Sequence, residues 1–285
     1  MHRSIARLVL LLAIAAVSSG FFVVAHASCW PHERDALLAF KQGIINDTYG
    51  VLASWQKRRH DCCRWTGVTC SNETGHVTEL DLGETGLVGQ ISPSLLSLQY
   101  LETSLMHGPN GRIFPEFLCS LHNLRHLDIS YTHFSGRVPA QLANLSKLDY
   151  LDLSGTLLSG ILPPQLGNLS NLRHLRLSFM ENIHTADISW LTHLHFLEYV
   201  DLSDINLSAV DVFLVANTIP TLKALILINC SLPNANQTLT HLNLTKLENL
   251  DLSINYLGHP IETCWFWNIK KHQGPITRFR DGASF

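Results

Sequence analysis

From residue 74 onward, aliphatic and polar positions follow one recurring pattern, L-x-x-L-x-x-L-x-L, with valine or isoleucine at some places. Its copies begin at Thr74, Leu98, Leu121, Leu145, Leu169, Leu194, Ile219 and Leu244, so the steps are 24, 23, 24, 24, 25, 25 and 25 residues. Each copy predicts one short strand whose two L-x-L leucines face inward, followed by a return along the far side of a coil. One copy alone has nothing to bury its leucines against. Stacked copies share a continuous core, in which each buried leucine contributes about 1.5–3 kcal/mol. Strands such as Leu127-Asp128-Ile129 then line up as a parallel sheet.

A period of this length, held in phase over every step, is that of a leucine-rich repeat. The expected fold is therefore α/β: a right-handed leucine-rich-repeat solenoid, horseshoe or superhelix, with a parallel β-sheet on its concave face. Three residues past each second leucine, a small polar side chain is expected to bond the neighbouring turn, and those places hold Thr85, Thr132, Thr156, Cys230 and Asn255. Met180 and Ile205 interrupt that ladder, which predicts two weaker turns. The second copy is weaker still, because Ser104-Leu105-Met106 stands in place of L-x-L and Phe114 is inserted before Pro115. The return arms Leu87-Val88-Gly89-Gln90-Ile91, Phe134-Ser135-Gly136-Arg137-Val138-Pro139 and Leu158-Ser159-Gly160-Ile161-Leu162-Pro163 share an L-x-G-x-I-P outline. Glycine permits the bend and proline fixes the exit from it. This arm resembles the plant-specific class of leucine-rich repeats.

Ahead of the repeats, Arg3 and Arg7 precede an apolar run from Leu8 to Val17, and Ala25-His26-Ala27 offers a signal-peptidase site. Residues 1–27 read as a secretory signal peptide. The alternative is an uncleaved anchor, since apolar residues resume at Phe21; Ser18-Ser19-Gly20 breaks the stretch and favours cleavage. No comparably long apolar stretch follows, so the mature chain is expected to be exported, without a membrane span, and extracellular or apoplastic. Export places the seven cysteines in an oxidising milieu. Zinc sites want paired cysteines two to four residues apart and a redox site wants C-x-x-C, and His60-Asp61-Cys62-Cys63-Arg64-Trp65-Thr66-Gly67-Val68-Thr69-Cys70 offers neither. Adjacent cysteines rarely join each other. Cys62 and Cys63 should therefore find separate partners among Cys29 and Cys70. Pro31 to Ile44 reads as an amphipathic helix with Leu37, Phe40 and Ile44 on one face, and Trp55 and Trp65 are ready to lie over the first coil. The divisions are 1–27 signal peptide, 28–73 cap, 74–268 about eight repeats and 269–285 an aberrant tail.

The run from Cys29 through His32-Glu33-Arg34-Asp35-Ala36-Leu37-Leu38-Ala39-Phe40-Lys41 to Cys70, followed by these repeats, resembles the plant leucine-rich-repeat receptor-like proteins, most nearly those of the ethylene-inducing xylanase receptor type. The resemblance implies that the cap cysteines pair in order, Cys29 with Cys62 and Cys63 with Cys70. It further implies a ligand-recognition ectodomain at the plasma membrane, active in pathogen perception and defence, with a protein, peptide or microbial ligand and a receptor-kinase co-receptor. Members of that family run to many more repeats, a second cysteine cap and a transmembrane helix. Here Lys270-Lys271-His272 disrupts a ninth copy, and Trp265, Phe266 and Trp267 would lie on an uncapped end, so a truncated ectodomain is expected. The competing readings are a secreted inhibitor resembling the polygalacturonase inhibitors, and a receptor fragment without function.

Composition changes little: 46% of residues are hydrophobic and 15% charged, and the net charge of −3 gives no reason to expect nucleic acid. Nucleophile-elbow, zincin, phosphate-loop and kinase motifs are absent from the sequence, so neither enzyme activity nor a cofactor is expected. His122 and His126 lie four apart, a spacing that joins metal ligands on a helix; on an extended segment they would be about 13 Å apart, so no metal site is expected. Sequons occur at Asn46, Asn72, Asn144, Asn168, Asn206, Asn229, Asn236 and Asn243. Asn144, Asn168 and Asn243 each precede a repeat start, a place that leaves the concave face clear, whereas a glycan on Asn229 would intrude on it. Adjacent strands set outward side chains in columns about 4.8 Å apart. One column reads Glu79, Thr103, His126, Tyr150, His174, Tyr199, Ala224, Asn249, and its alternating centre, His126, Tyr150, His174 and Tyr199, is the candidate ligand-binding surface. The next reads Asp81, Leu105, Asp128, Asp152, Arg176, Asp201, Ile226, Asp251; its aspartates are expected to serve solubility and bonding along the sheet.

Overall fold

The computed structural model describes residues 28–256 apart from 59, 84–85, 107–112, 181, 186 and 233–242. The segments 1–27 and 269–285, and with them the signal peptide and the tail, lie outside the described residues, as do Thr85, Asn236 and Cys264. In chain order the elements are α1 (Pro31–Gln42), β1 (Ile44–Asp47), β2 (Val68–Cys70), β3 (Val77–Asp81), β4 (Leu87–Gly89), β5 (Thr103–Leu105), β6 (His126–Asp128), β7 (Ser135–Arg137), β8 (Tyr150–Asp152), β9 (Leu157–Ile161), β10 (His174–Arg176), β11 (Asn182–His184), β12 (Tyr199–Asp201), α2 (Val212–Ala216), β13 (Ala224–Ile226) and β14 (Asn249–Asp251).

These strands build the solenoid that the period predicts. A nine-stranded sheet runs β14-β13-β12-β10-β8-β6-β5-β3-β2, parallel from β3 to β14 and closed at the cap end by the antiparallel β2. Leu80, Leu127, Leu151, Leu175, Val200, Leu225 and Leu250 form its inner rungs, all buried in one core cluster. The far side of the coils is a ladder of 3-10 turns, Pro93–Ser97, Glu116–Ser120, Ala140–Asn144, Pro164–Asn168 and Ser189–His193, each inserting a buried leucine at its third residue. In the next coil the short helix α2 takes that place, with Asp211 accepting from the Leu214 N–H as its N-cap.

The L-x-G-x-I-P arms do more than bend. They pair as a second parallel sheet, β11-β9-β7, which isolated bridges extend to Ile113 on one side and Asn206 on the other. Gly136 and Gly160 lie within its strands at φ +102° and +93°. Nothing lies within 4 Å of a Cβ added at Gly136, so the backbone conformation, and not lack of space, requires glycine there.

Beyond the pairing of β2 with β3, the cap is tied on at three places. Helix α1 begins with proline in its first turn and packs against the turn Pro93–Ser97 of the first coil. It ends at Gln42, earlier than the sequence pattern suggests: Ile44 opens β1, which pairs antiparallel with β4 of the second sheet. Two β-branched residues after Gly43 find an open edge there, and the edge outweighs helix continuation. Trp55 stacks on Trp65 with centroids 5.5 Å apart, and Phe40 lies against Trp55 at 6.0 Å. The disulfides are Cys29–Cys62 and Cys63–Cys70. Glu33, fully buried, accepts from the Val77 N–H at 3.0 Å and bonds His76 Nδ1 at 3.0 Å, and the His76 ring stacks on both Trp30 and Tyr100.

The polar ladder differs from expectation. Thr132 and Thr156 each donate to a carbonyl of their own turn, Ile129 and Leu153, and do not reach a neighbour. Asn255 does reach across, donating to the Leu227 carbonyl and accepting from the Cys230 and Leu232 N–H groups. A threonine side chain is one bond too short for that reach. Met180 and Ile205 are buried and fill the same place with apolar contact.

Candidate functional site

Strict register carries the outward residues of successive strands into straight columns. His126 pairs with Tyr150, Tyr150 with His174, and His174 with Tyr199. The four rings form one row: His126 and Tyr150 are stacked at 3.9 Å with 4° between planes, Tyr150 and His174 lie 5.8 Å apart, and His174 and Tyr199 5.9 Å apart. The flat faces of these rings are therefore turned toward each other. Their edges, with imidazole nitrogens and phenol hydroxyls, are what the row presents outward. Burial holds the His126 pKa below its ordinary value, against the pull of Asp128, Asp149 and Asp152, so its imidazole is neutral at neutral pH. Burial pushes the Tyr150 and Tyr199 phenols up, and both stay protonated donors.

The second column corrects the reading of its aspartates. Asp128, Asp152 and Asp201 are buried, not solvating. Each uses Oδ1 to accept a backbone N–H two residues on, from Ser130, Ser154 and Ser203 at 2.9, 2.8 and 3.0 Å. The aspartate thus fastens the turn that leaves each strand, and at Asp152 and Asp201 the second oxygen faces Arg176. Arg176 replaces aspartate at one rung and reaches both ways, Nη1 to Asp152 Oδ2 at 3.5 Å and Nη2 to Asp201 Oδ2 at 4.0 Å. Its guanidinium also lies 5.8 Å over the Tyr199 ring, and its Nε is buried without an acceptor. Burial works against the Arg176 charge; the Tyr150 phenol and the Asp152 carboxylate overcome it and hold its pKa above the ordinary value. Burial likewise raises the Asp152 carboxyl, opposed by its hydrogen bonds from Ser154. The Tyr150 hydroxyl donates to Asp152 Oδ2 at 3.3 Å. Rings and carboxylates are therefore one connected polar surface with Arg176 at its centre. The signal for it in the sequence is a single arginine within a column of aspartates.

A charged rail borders the row where the strands begin. Glu198 accepts from Arg173 at 2.8 Å and from Lys223 at 2.6 Å, and Arg125 lies 3.8 Å from Glu102. Exposed pairs of this kind contribute about 0–1 kcal/mol each; their effect is to set charge beside the row. Arg125, Lys147, Asp149, Asn171, Arg173 and Phe196 line a cleft of ≈ 340 Å³ there.

The sequon asparagines scatter around the coils. Asn46, Asn72, Asn144, Asn168, Asn206, Asn229 and Asn243 are all exposed. Asn144 and Asn168 end the turns Ala140–Asn144 and Pro164–Asn168, while Asn229 sits past the strand exit and donates from Nδ2 to Asp204 Oδ1 at 2.7 Å. Among the described residues the sulfurs of Cys29, Cys62 and Cys63 are the one cluster of metal-ligating type, and all three are consumed in disulfides. Burial pushes the thiols of Cys119 and Cys230 up to about 12.

Comparison with known proteins agrees with this architecture. The leucine rich repeat N-terminal domain family matches residues 31–71, and the Leucine Rich Repeat family matches residues 123–145 and 147–169. The chain is 31% identical over 262 residues to Receptor-like protein EIX1 of Solanum lycopersicum, which spans 85% of this chain and 23% of the relative. It is 42% identical over 127 residues to Receptor-like protein EIX2 of the same organism, 40% of this chain and 12% of the relative. The chain therefore spans less than a quarter of the length of these curated relatives. Among solved structures, the Arabidopsis receptor kinase HAESA in complex with the peptide hormone IDA and the co-receptor SERK1 superposes with a TM-score of 0.65 at 26% identity, covering 79% of this chain and 38% of that one.

Proposed function

We propose that this leucine-rich-repeat solenoid, similar along most of its length to plant receptor-like proteins, recognises a protein, peptide or microbial ligand outside the cell and signals, in defence above all, through a partner kinase. The observation that carries the reading is the row His126, Tyr150, His174 and Tyr199 with Arg176 beside it: ordered, half-buried side chains with polar edges facing outward, on a rigid sheet. Such a surface costs little entropy to dock against, because its side chains are already fixed by stacking and ion pairing. Aromatic residues and arginine are also the types that dominate binding energy at protein interfaces. The relatives named receptor-like proteins support a recognition role, and the solved receptor kinase with its peptide and co-receptor supports a protein or peptide partner. Catalysis has no support in this surface, where the carboxylates are fixed to backbone N–H groups or to Arg176. Secretion, with glycans on Asn144, Asn168 and Asn243 away from the row, belongs to the same reading.

Binding of a purified fungal endoxylanase and of a panel of synthetic plant peptide hormones to the secreted chain, measured by biolayer interferometry, tests it. Saturable binding of one of these probes is expected, weakened at least about tenfold by Tyr150→Ala together with Tyr199→Ala, the loss of two interface anchors. Absence of binding to every probe, or binding indifferent to the double substitution, would overturn the concave-face reading. Potent inhibition of a fungal polygalacturonase by the same protein would replace it with the inhibitor reading.

A further inference from the structure

On the flank of the solenoid, where the second sheet ends, a groove of ≈ 520 Å³ is lined by Ile161, Pro164, His184, Asp187, Trp190 and Asn206 among others. Its volume is that of a small-ligand site. Ile161 on its wall is 73% exposed, a large apolar side chain left facing water. A bare aliphatic wall beside the polar groups of the rim suits an occupant that is amphipathic.

Most polar groups of the groove are already engaged. Asp187 accepts from the Ser189 N–H and hydroxyl, and Thr185 donates to the Asp187 carbonyl. The exception is on the rim. Asn206 forms the last rung of the second sheet through its bridge with His184. It heads Asn206-Leu207-Ser208, its Oδ1 accepts from the Ser208 N–H at 3.0 Å, and its Nδ2 makes no hydrogen bond. Asn229 differs, since its Nδ2 is committed to Asp204.

We propose that Asn206 carries an N-glycan whose first N-acetylglucosamine residues lie in this groove. In the joining step Asn206 Nδ2 attacks C1 of an oligosaccharide carried on a lipid diphosphate. The Nδ2–C1 bond forms, the C1–O bond to the diphosphate breaks, the lipid diphosphate leaves, and the amide nitrogen gives up one proton; nothing is oxidised or reduced. The pyranose C–H faces and acetamido methyl then cover Ile161 and Pro164. The His184 ring is left to bond the sugar hydroxyls. The inference rests on the reading that the chain passes through the secretory pathway.

The test uses the full chain secreted from plant cells, with occupancy of each sequon read by glycopeptide mass spectrometry and release by a peptide N-glycosidase followed on the native protein. Asn206 is expected to be occupied, and its glycan to be released about tenfold more slowly than those of Asn144 and Asn168, the factor that covering roughly 55 Å² of apolar surface gives. Denaturation should abolish the difference. Ile161→Asp, an exposed change that leaves the core intact, should bring release at Asn206 to the rate of the other sites without altering occupancy. Occupied Asn144 and Asn168 beside an empty Asn206, or equal release rates on the native protein, would overturn the seat alone. If every sequon is empty, the secretory reading fails together with it.

Discussion

The second coil and the coils that follow it occupy equivalent places in the long sheet and differ in nearly every side chain that matters. In the later coils, Leu127, Leu151 and Leu175 point inward while His126, Tyr150 and His174 stack outside. In the second, Ser104 takes the inward place with its buried hydroxyl unpartnered, and Thr103 and Leu105 stand outside. Yet β5 pairs in perfect register on both sides, Leu80 to Ser104 to Leu127. The backbone ladder, with Leu82 N–H donating to Leu105 and Met106 N–H to Asp128, holds the rung that its own side chains do not. A solenoid therefore tolerates one poor coil because neighbours set its register. The row of rings needs more, since stacked rings and a clamped arginine require consecutive good coils.

The sharpest way to break the comparison is to put the defect of the second coil into the centre. Leu151→Ala, at a fully buried rung, should cost about 2–5 kcal/mol, read as a lower midpoint in urea. Next comes the cap: Glu33→Ala strands the Val77 N–H and the His76 ring and should cost about 2–3 kcal/mol in the same assay, with Glu33→Gln milder because one acceptor remains. If the two substitutions are equal, the buried bonds are not what fastens the cap.

Arg176→Ala should cost about 1 kcal/mol at neutral pH, since the side chain is partly exposed, and the cost should depend on pH. Asp152 already has a folded pKa raised above 3.8. Its native state therefore binds the proton more readily than the unfolded chain, and stability rises as pH falls through the window between the two values. Removing the cation widens that window upward, so the deficit of the variant should shrink on acidification; thermal midpoints across pH 4–8 check it, and a pH-independent deficit would count against the clamp. The smallest effect belongs to Ser104→Ala, which removes an unmet hydroxyl and should be neutral or stabilising by up to about 1 kcal/mol. A clear loss of stability there would mean that the hydroxyl is bonded after all.

Much of the architecture was legible. The repeat period placed the strands of the long sheet, the columns followed from strand periodicity, and resemblance supplied the cysteine pairing that the structure contains. The site was legible in part. The row of His126, Tyr150, His174 and Tyr199 was foreseen as a column, whereas the stacking that hides the ring faces depends on side-chain rotation, which spacing does not encode. The aspartates were read in part: Asp81 is exposed as expected, whereas Asp128, Asp152 and Asp201 are buried, because the turn after each strand has N–H groups that need an acceptor. Glu33, a charged residue in a cap helix, gave no local sign of burial, because its partner His76 lies 43 residues away.

By itself the sequence determined that these coils stack, how far apart the strands start and which side chains share a column, because burying aliphatics at a fixed period admits one arrangement. What the tertiary structure alone decided is which polar groups meet: Arg176 between two carboxylates, Glu33 beneath His76, Asn206 at the rim of a groove. Those encounters depend on distances across coils of a few ångströms, and hydrogen bonds and ion pairs are decided at that scale, whereas the hydrophobic pattern that writes the fold tolerates far more.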